Sequence, residues 1–288
     1  MLSINNSVTS LNAQRHMDRS TRELGKTFAR LASGMRINSS RDDAAGMAIV
    51  SRMVAQVRGM NTAIRNANDG ISLAQVAESA LDESTNALQR ARELMVQAAN
   101  STYSSGDRQN LQDEVVQMVN EVQRIATTTT FNEINLLTGS YSGNNFHIGA
   151  DANQTIQFSI LAASKNALGV TMGNSGGTQS LGSFGRGVGT ASAQSVINSN
   201  LAKIDNALDS ISDIRANLGA VMSRFETVIA SLSNVVENTD AARSRIQDAD
   251  IATETAALTR NTILQQAGVA ILAQANQQPQ IALRLLAM

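Results

Sequence analysis

The 288-residue chain has no cysteine, no tryptophan and a single proline, Pro279. Without cysteine there are no disulfides, no thiolate metal ligands and no cysteine nucleophile, although that absence does not assign a redox compartment. The only histidines are His16 and His147, and no H-E-x-x-H pair is present, so a zinc hydrolase centre has no support. Aromatic residues make up 3% of the chain and charged residues 16%. Few large side chains imply narrow seams between helices rather than a thick core. The formal net charge is -1, and no run of Lys and Arg is interleaved with aromatics, which removes the electrostatic footprint of a nucleic-acid binder. No segment approaches the roughly 18 apolar residues of a membrane span, so no membrane insertion is expected. Met1 to Leu11 lacks a basic region followed by an apolar core, so no cleavable secretory signal is expected either.

What the chain does have is apolar periodicity. Leu201, Ile204, Leu208 and Ile211, then Leu218, Met222, Phe225, Ile229, Leu232 and Val236, step alternately three and four residues, interrupted only at Arg215. That is a heptad stripe on a long helix that needs partners. Leu111, Val115, Met118, Val122 and Ile125 repeat it, as do Ile64, Ala67, Ile71 and Ala74, then Leu88, Ala91, Met95 and Ala98. A single helix from Asp43 to Asn100 would run roughly 85 Å at about 1.5 Å per residue. A compact fold of this size has a radius of gyration of only about 19 Å. The spacing therefore predicts a mostly α fold, an elongated antiparallel helical bundle or coiled coil formed by both chain ends.

A first helix is expected from about Ser3 to Met35, with Ile4, Val8, Leu11, Leu24, Phe28 and Leu31 on its apolar stripe and a phase slip after Leu11. Gly34 and Asn38-Ser39-Ser40 break it, and Ser40 with Asp43 has capping-box spacing for the next helix. After a turn at Ser101 to Gly106, Asp107 is placed to cap a return helix to about Ala126. Eleven of the nineteen glycines fall between Gly139 and Gly189, where helix is improbable. There Phe146 and Ile148, then Ile156, Phe158 and Ile160, alternate with period two and predict a β-hairpin. Gly173 to Gly189 reads as loop. Helix is expected again from about Ala191 to Asn238, with a weak break at Thr239 to Asp250. It then continues until Pro279 restarts a last turn, with Leu264, Ile271 and Leu285 on the second terminal stripe.

Leu31 to Ile49, reading LASGMRINSSRDDAAGMAI, closely resembles the amino-terminal signature of bacterial flagellins. Ala241 to Asp250, AARSRIQDAD, with Ile263 to Val269, ILQQAGV, and Leu272 to Asn276, LAQAN, followed by Pro279, resembles the family's carboxy-terminal signature. The resemblance covers about Met1 to Gly139 and Ala191 to Met288 and implies three parts. Residues 1–42 and 245–288 would form a terminal coiled-coil domain in the inner filament core. Residues 43–138 and 191–244 would form a helical rod, and residues 139–190 a hairpin and Gly-rich variable loop with no large outer domains. It further implies a homo-polymer in the extracellular flagellar filament, exported through the flagellar channel and requiring no cofactor. The implied partners are the export apparatus, a flagellin chaperone, the filament cap, the hook-filament junction proteins and a host flagellin-sensing Toll-like receptor. Gln89, Arg90, Leu94, Gln97 and Glu114 match receptor-contact and subunit-interface positions of the family.

Other readings are weaker. Gly173-Asn174-Ser175-Gly176-Gly177 fits G-x-S-x-G but lacks the strand before and helix after that a nucleophile elbow needs. Gly185-Arg186-Gly187-Val188-Gly189 lacks the Lys-Ser or Lys-Thr end of a phosphate loop. Asp42 with Asp43, and Asp248 with Asp250, sit at expected helix joints, where capping is the ordinary use of aspartate rather than catalysis or calcium binding. Met53, Met60, Met95, Met118 and Met222 lie on or near the seams and are expected to pack. The alternatives to a filament subunit are a hook-filament junction protein and a secreted monomeric helical adhesin or effector.

Overall fold

Helices dominate the computed structural model, which describes residues 8–172, 180–181 and 190–286. They are α1 (Val8–Ser33), α2 (Ala44–Ala98), α3 (Ser105–Thr128), α4 (Thr190–Gln247) and α5 (Ile251–Leu286). Between α3 and α4 lie β1 (Thr130–Phe131), β2 (Ile134–Asn135), β3 (Asn144–His147), β4 (Thr155–Phe158), β5 (Thr171–Met172) and β6 (Ser180–Leu181). The chain divides into two compact units, Met1–Val57 with Glu237–Met288, and Arg58–Val236.

In the Arg58–Val236 unit, α3 returns antiparallel to α2 after a short turn. Ser104 is its N-cap: the hydroxyl accepts from the Asp107 amide at 3.2 Å, and the Asp107 carboxylate accepts from the Ser104 amide at 3.0 Å. Asp107 is therefore the third residue of a capping box and not the cap expected from the sequence. Helix α4 also runs antiparallel to α2. Arg92 meets Asp205 at 2.6 Å, Asp82 meets Arg215 at 3.1 Å, and Gly70 lies under Phe225, so descending positions on one helix match ascending positions on the other. A Cβ at Gly70 would stand 2.9 Å from the Phe225 ring, which is why the smallest residue occupies that crossing.

Leu88, Ala91, Met95 and Ala98 of α2 are buried as the heptad reading expects, together with Ile204, Ile211, Leu218 and Phe225 of α4. The interruption at Arg215 is bridged by Ile214, which is buried in the same core, while Arg215 turns outward to Glu78 and Asp82. On α3 the seam is rotated slightly: Val119 and Ala126 are buried, and Met118 and Ile125 flank them half-buried. Arg108 is also buried, its Nη2 donating to the Asn100 carbonyl at 3.3 Å beneath the α2–α3 turn.

The hairpin forms as expected, β3 pairing antiparallel with β4 so that Phe146 opposes Ile156. Phe146 meets Phe225 edge-on at 5.5 Å, which seats the hairpin on α4, and Phe158 meets Tyr141 of the preceding loop at 5.8 Å. The sequence reading missed the tight β1–β2 hairpin, whose central residues Asn132 and Glu133 both have positive φ, the geometry that suits a two-residue hairpin turn. It also missed the parallel pairing of Thr171–Met172 with Ser180–Leu181, which places Ser180 and Leu181 in a strand rather than a loop. The two glycine motifs at 173–177 and 185–189 lie outside the described residues.

The expected break at Thr239 to Asp250 narrows to residues 248–250: helix α4 continues to Gln247, carried through 238–240 by Ala241, Ala242 and the pairing of Asp240 with Arg243 at 3.3 Å. The expected restart at Pro279 is absent. Helix α5 passes through Pro279, whose fixed φ is itself helical, at the loss of one backbone donor.

Phe225 is fully buried and central to the α2–α4–hairpin junction. We expect Phe225→Ala to destabilise the Arg58–Val236 unit by about 3–5 kcal/mol. Ser210→Ala, at an exposed site, should stay within about 0.5 kcal/mol. Urea unfolding of the monomer followed by circular dichroism measures both.

Candidate assembly and recognition surfaces

The joint between the terminal helices is built from helix ends that satisfy one another. Helix α1 stops at Ser33 because Gly34 takes φ +70°, the left-handed conformation that terminates helices. The chain then crosses the end of α4. The Arg36 and Ile37 amides donate to the Gln247 carbonyl at 2.7 and 3.3 Å, and Arg36 Nη2 donates to the Ile246 carbonyl at 2.7 Å. In return the Ala249 amide donates to the Gly34 carbonyl at 2.9 Å. These bonds pair the last carbonyls of α4, which the helix itself leaves without partners.

Aspartates start the helices on either side. Asp43 Oδ1 accepts from the Gly46 amide at 2.9 Å, so Asp43 itself caps α2 and the expected Ser40–Asp43 box is not used. Its short carboxylate reaches the third helical amide directly. Asp250 caps α5, accepting from the Ala252 and Thr253 amides and from the Thr253 hydroxyl at 2.8 Å. Asp42 Oδ2 accepts from the Asn38 and Ser39 amides and the Ser39 hydroxyl, closing the turn between. Hydrogen bonds from Ser39 hold the Asp42 carboxyl below the usual aspartate range, and those from Thr253 do the same for Asp250.

Helices α1 and α5 pack antiparallel, with Met17, Leu24, Leu31, Leu258 and Leu272 half-buried and polar contacts beside them. The Ser20 hydroxyl donates to the Asn261 carbonyl at 3.3 Å, Asn261 Nδ2 donates to Thr27 at 3.5 Å, and Arg30 pairs with Glu254 at 3.2 Å. Gly268 lies against Met17. Leu24 and Leu31 of the expected stripe are half-buried. The other described stripe residues whose burial is defined face outward: Val8, Leu11 and Leu264 are exposed, Phe28 is 65% exposed and Ile271 57%. A groove of about 430 Å³ runs beside them, lined by Ala13, Met17, Leu264, Gly268 and Ile271 among others. Ile4 lies outside the described residues, and the Leu285 side chain is not among those described.

The α2–α3 cluster divides. Arg90 is exposed, its guanidinium bonded to Glu114 at 3.0 Å and Glu93 at 3.3 Å, which raises its pKa, Glu114 contributing most. Gln89 is exposed, and exposed Gln97 donates to the Tyr103 hydroxyl at 2.8 Å. Leu94 departs from the expected surface position: it is 1% exposed and belongs to the core beside Val115 and Val119. It lies on the helix face shared with Leu88, Ala91, Met95 and Ala98, and the apolar side chain exposed in this stretch is Val96. No group of His, Asp and Glu fit to hold a metal occurs among the described residues, and none of the helices searched there is long and apolar enough to cross a membrane. The breaks at the joint were expected from the glycine and aspartates flanking it; the bonds that Arg36, Ile37 and Ala249 make across it were the part that sequence reasoning missed.

Residues 4–142 match the family model for the bacterial flagellin N-terminal helical region, and residues 201–286 that for the C-terminal helical region. The chain is 41% identical to flagellin FlaB1 of Treponema pallidum (strain Nichols), covering 98% of this chain and 99% of that protein. It is also 41% identical to a flagellin of Halalkalibacterium halodurans, with the same coverage. A putative flagellar hook-associated protein from Vibrio parahaemolyticus matches in structure with a TM-score of 0.58, over 72% of this chain and 100% of that one. At 11% identity that likeness shows the fold alone.

Because the folded pKa values of Asp42, Asp107 and Asp250 lie below their unfolded values, their contribution to stability is present at neutral pH. It is lost as the pH falls below the ordinary aspartate range and through the folded values. We expect helical signal at the α3 start to fall on acidification through that window, and Asp107→Asn to flatten the response. Residue-resolved NMR of the monomer during an acid titration reads it.

Proposed function

The chain belongs to the bacterial flagellin family and is a structural subunit of the extracellular flagellar filament that serves motility, and we propose that it polymerises through the outward apolar row of α1 and α5. The observation that carries this reading is the exposure of Phe28, Leu11, Leu264 and Ile271 on helices that half-bury only part of their apolar side chains against each other. Burial of such side chains contributes about 1.5–3 kcal/mol each, and a neighbouring copy supplies the cover. A contact between different faces of identical subunits adds copies without closing, giving an open helical polymer. The terminal segments order on incorporation, because two thin helices that leave so many apolar side chains exposed gain little from folding alone.

Residues 1–42 and 245–288 form the terminal coiled-coil domain of the inner filament core in this reading, residues 43–138 and 191–244 a helical rod, and residues 139–190 the hairpin and variable loop. The subunit reaches the growing tip unfolded through the flagellar export apparatus, escorted by a flagellin chaperone and placed under the filament cap, beyond the hook-filament junction proteins. The absence of cysteine suits such a route. It catalyses no reaction; capping and pairing account for the aspartates that a catalytic reading would use.

The exposed face of Gln89, Arg90, Gln97 and Glu114 is a recognition surface for a host Toll-like receptor in the monomer and a subunit contact in the polymer. The Arg90 fork suits a partner's carboxylates or carbonyls, with Leu94 supporting the face from within. Arg90→Ala with Glu114→Ala should weaken receptor activation by monomer while leaving circular dichroism unchanged, and filaments should signal poorly. Equal reporter-cell potency for monomer, filament and double mutant would refute this assignment and leave the filament reading intact.

Polymerisation itself is tested by seeding purified protein with filament fragments under the electron microscope. The intact chain should elongate the seeds, whereas a fragment lacking residues 1–39 and 245–288 should remain helical and soluble without elongating them. Long filaments from the fragment would overturn the reading.

A further inference from the structure

A cationic cleft in the terminal unit is left over from both the apolar row and the joint. Arg22, Lys26 and Arg30 follow one another at four-residue spacing along α1, and Arg41 faces them across a cleft of about 560 Å³. Gly25, with no side chain and nothing within 4 Å of a notional Cβ, keeps it open. The carboxylate lining this cleft is Asp42, and its Oδ2 is already engaged by the Asn38 and Ser39 amides and the Ser39 hydroxyl. Lys26 holds Glu23 at 3.0 Å on the surface, a pairing of small worth in water. Arg30 gives Nη1 to Glu254, while its buried Nε has no partner. Arg22 and Arg41 make no ion pair among the described residues.

The distribution of charge along the chain says what complements this cleft. Met1–Val57 with Glu237–Met288 carries 12 Lys and Arg against 9 Asp and Glu, whereas Arg58–Val236 carries 11 against 15. The guanidinium fork matches carboxylate geometry. A chain with formal net charge -1 and no aromatic interleaving of its cations is ill suited to nucleic acid. We infer that the Arg22–Lys26–Arg30–Arg41 cleft receives carboxylate side chains of a neighbouring copy in the filament, a charge-steered contact that orients the incoming subunit before the apolar row is buried. The inference rests on the filament reading and adds the chemistry of one contact to it.

The experiment is seeded elongation of the full chain, followed by light scattering across a NaCl series, for wild type, Arg22→Glu/Arg41→Glu and Arg22→Lys/Arg41→Lys. The reversed variant should need about tenfold more monomer to elongate seeds at low salt. Its deficit should shrink as salt rises, and the lysine variant should stay within about threefold of wild type. Should the reversed chain lose helical signal, Arg22→Gln/Arg41→Gln provides the same reading with a smaller deficit. Elongation by the reversed and glutamine variants at wild-type concentrations, or a deficit independent of salt, overturns the cleft while leaving the filament reading standing. Failure of wild type to elongate any seed overturns both.

Discussion

The terminal helix pair half-buries Met17, Leu24, Leu31, Leu258 and Leu272 and leaves a second set of large apolar side chains uncovered. Ser20, Thr27 and Asn261 meet between α1 and α5, while Phe28, Leu11, Leu264 and Ile271 face out. In a chain that works alone this distribution would be a liability, because exposed apolar rows recruit partners. In a polymer subunit it is the means of assembly: the free energy missing from the isolated pair becomes available when another copy arrives. Folding of the ends and growth of the filament are then one event.

The joint and the Arg58–Val236 unit complement that arrangement. Polar valences at the joint are satisfied within the chain: Arg36 and Ile37 cover the end of α4, and Asp43 and Asp250 start the helices beside it. An incoming subunit therefore has few unmet backbone groups there to satisfy. The Arg58–Val236 unit, by contrast, carries its own core, from Leu73 through Phe158 to Leu218. Its faces towards solvent are charged, with Arg90–Glu114, Arg92–Asp205 and Arg215–Asp82 tying helix to helix. Such exposed pairs add little stability and serve better to fix register.

The helices and the central hairpin were legible because heptad and period-two patterns report which face is buried. The signatures at Leu31–Ile49 and Ala241–Asn276 carried the family. Fine detail was less legible for physical reasons. Leu94 follows Arg90, Arg92 and Glu93, and its burial follows from a seam running through Ala91 and Ala98, whose small side chains give a weak hydrophobic signal. Arg215 broke the heptad in sequence, yet Ile214 keeps it in space. Proline and the 238–240 run looked like breaks because local propensity is weaker than the context of long helices. The breaks at the joint were legible, but its bonds were not, because they connect residues more than 200 positions apart. That other copies cover the terminal stripe was expected from the family resemblance, since periodicity alone marks an apolar face without saying whether this chain or another covers it.

The central claim is that α1 and α5 are held mainly by other copies. Amide hydrogen exchange compared between monomer and filament tests it most directly. The account expects amides of α1 and α5 to exchange quickly in the monomer, those of the buried Leu88–Ala98 stretch slowly in both states, and the terminal helices to become protected only in filaments. Equal protection of α1 and α5 in monomer and filament would contradict it.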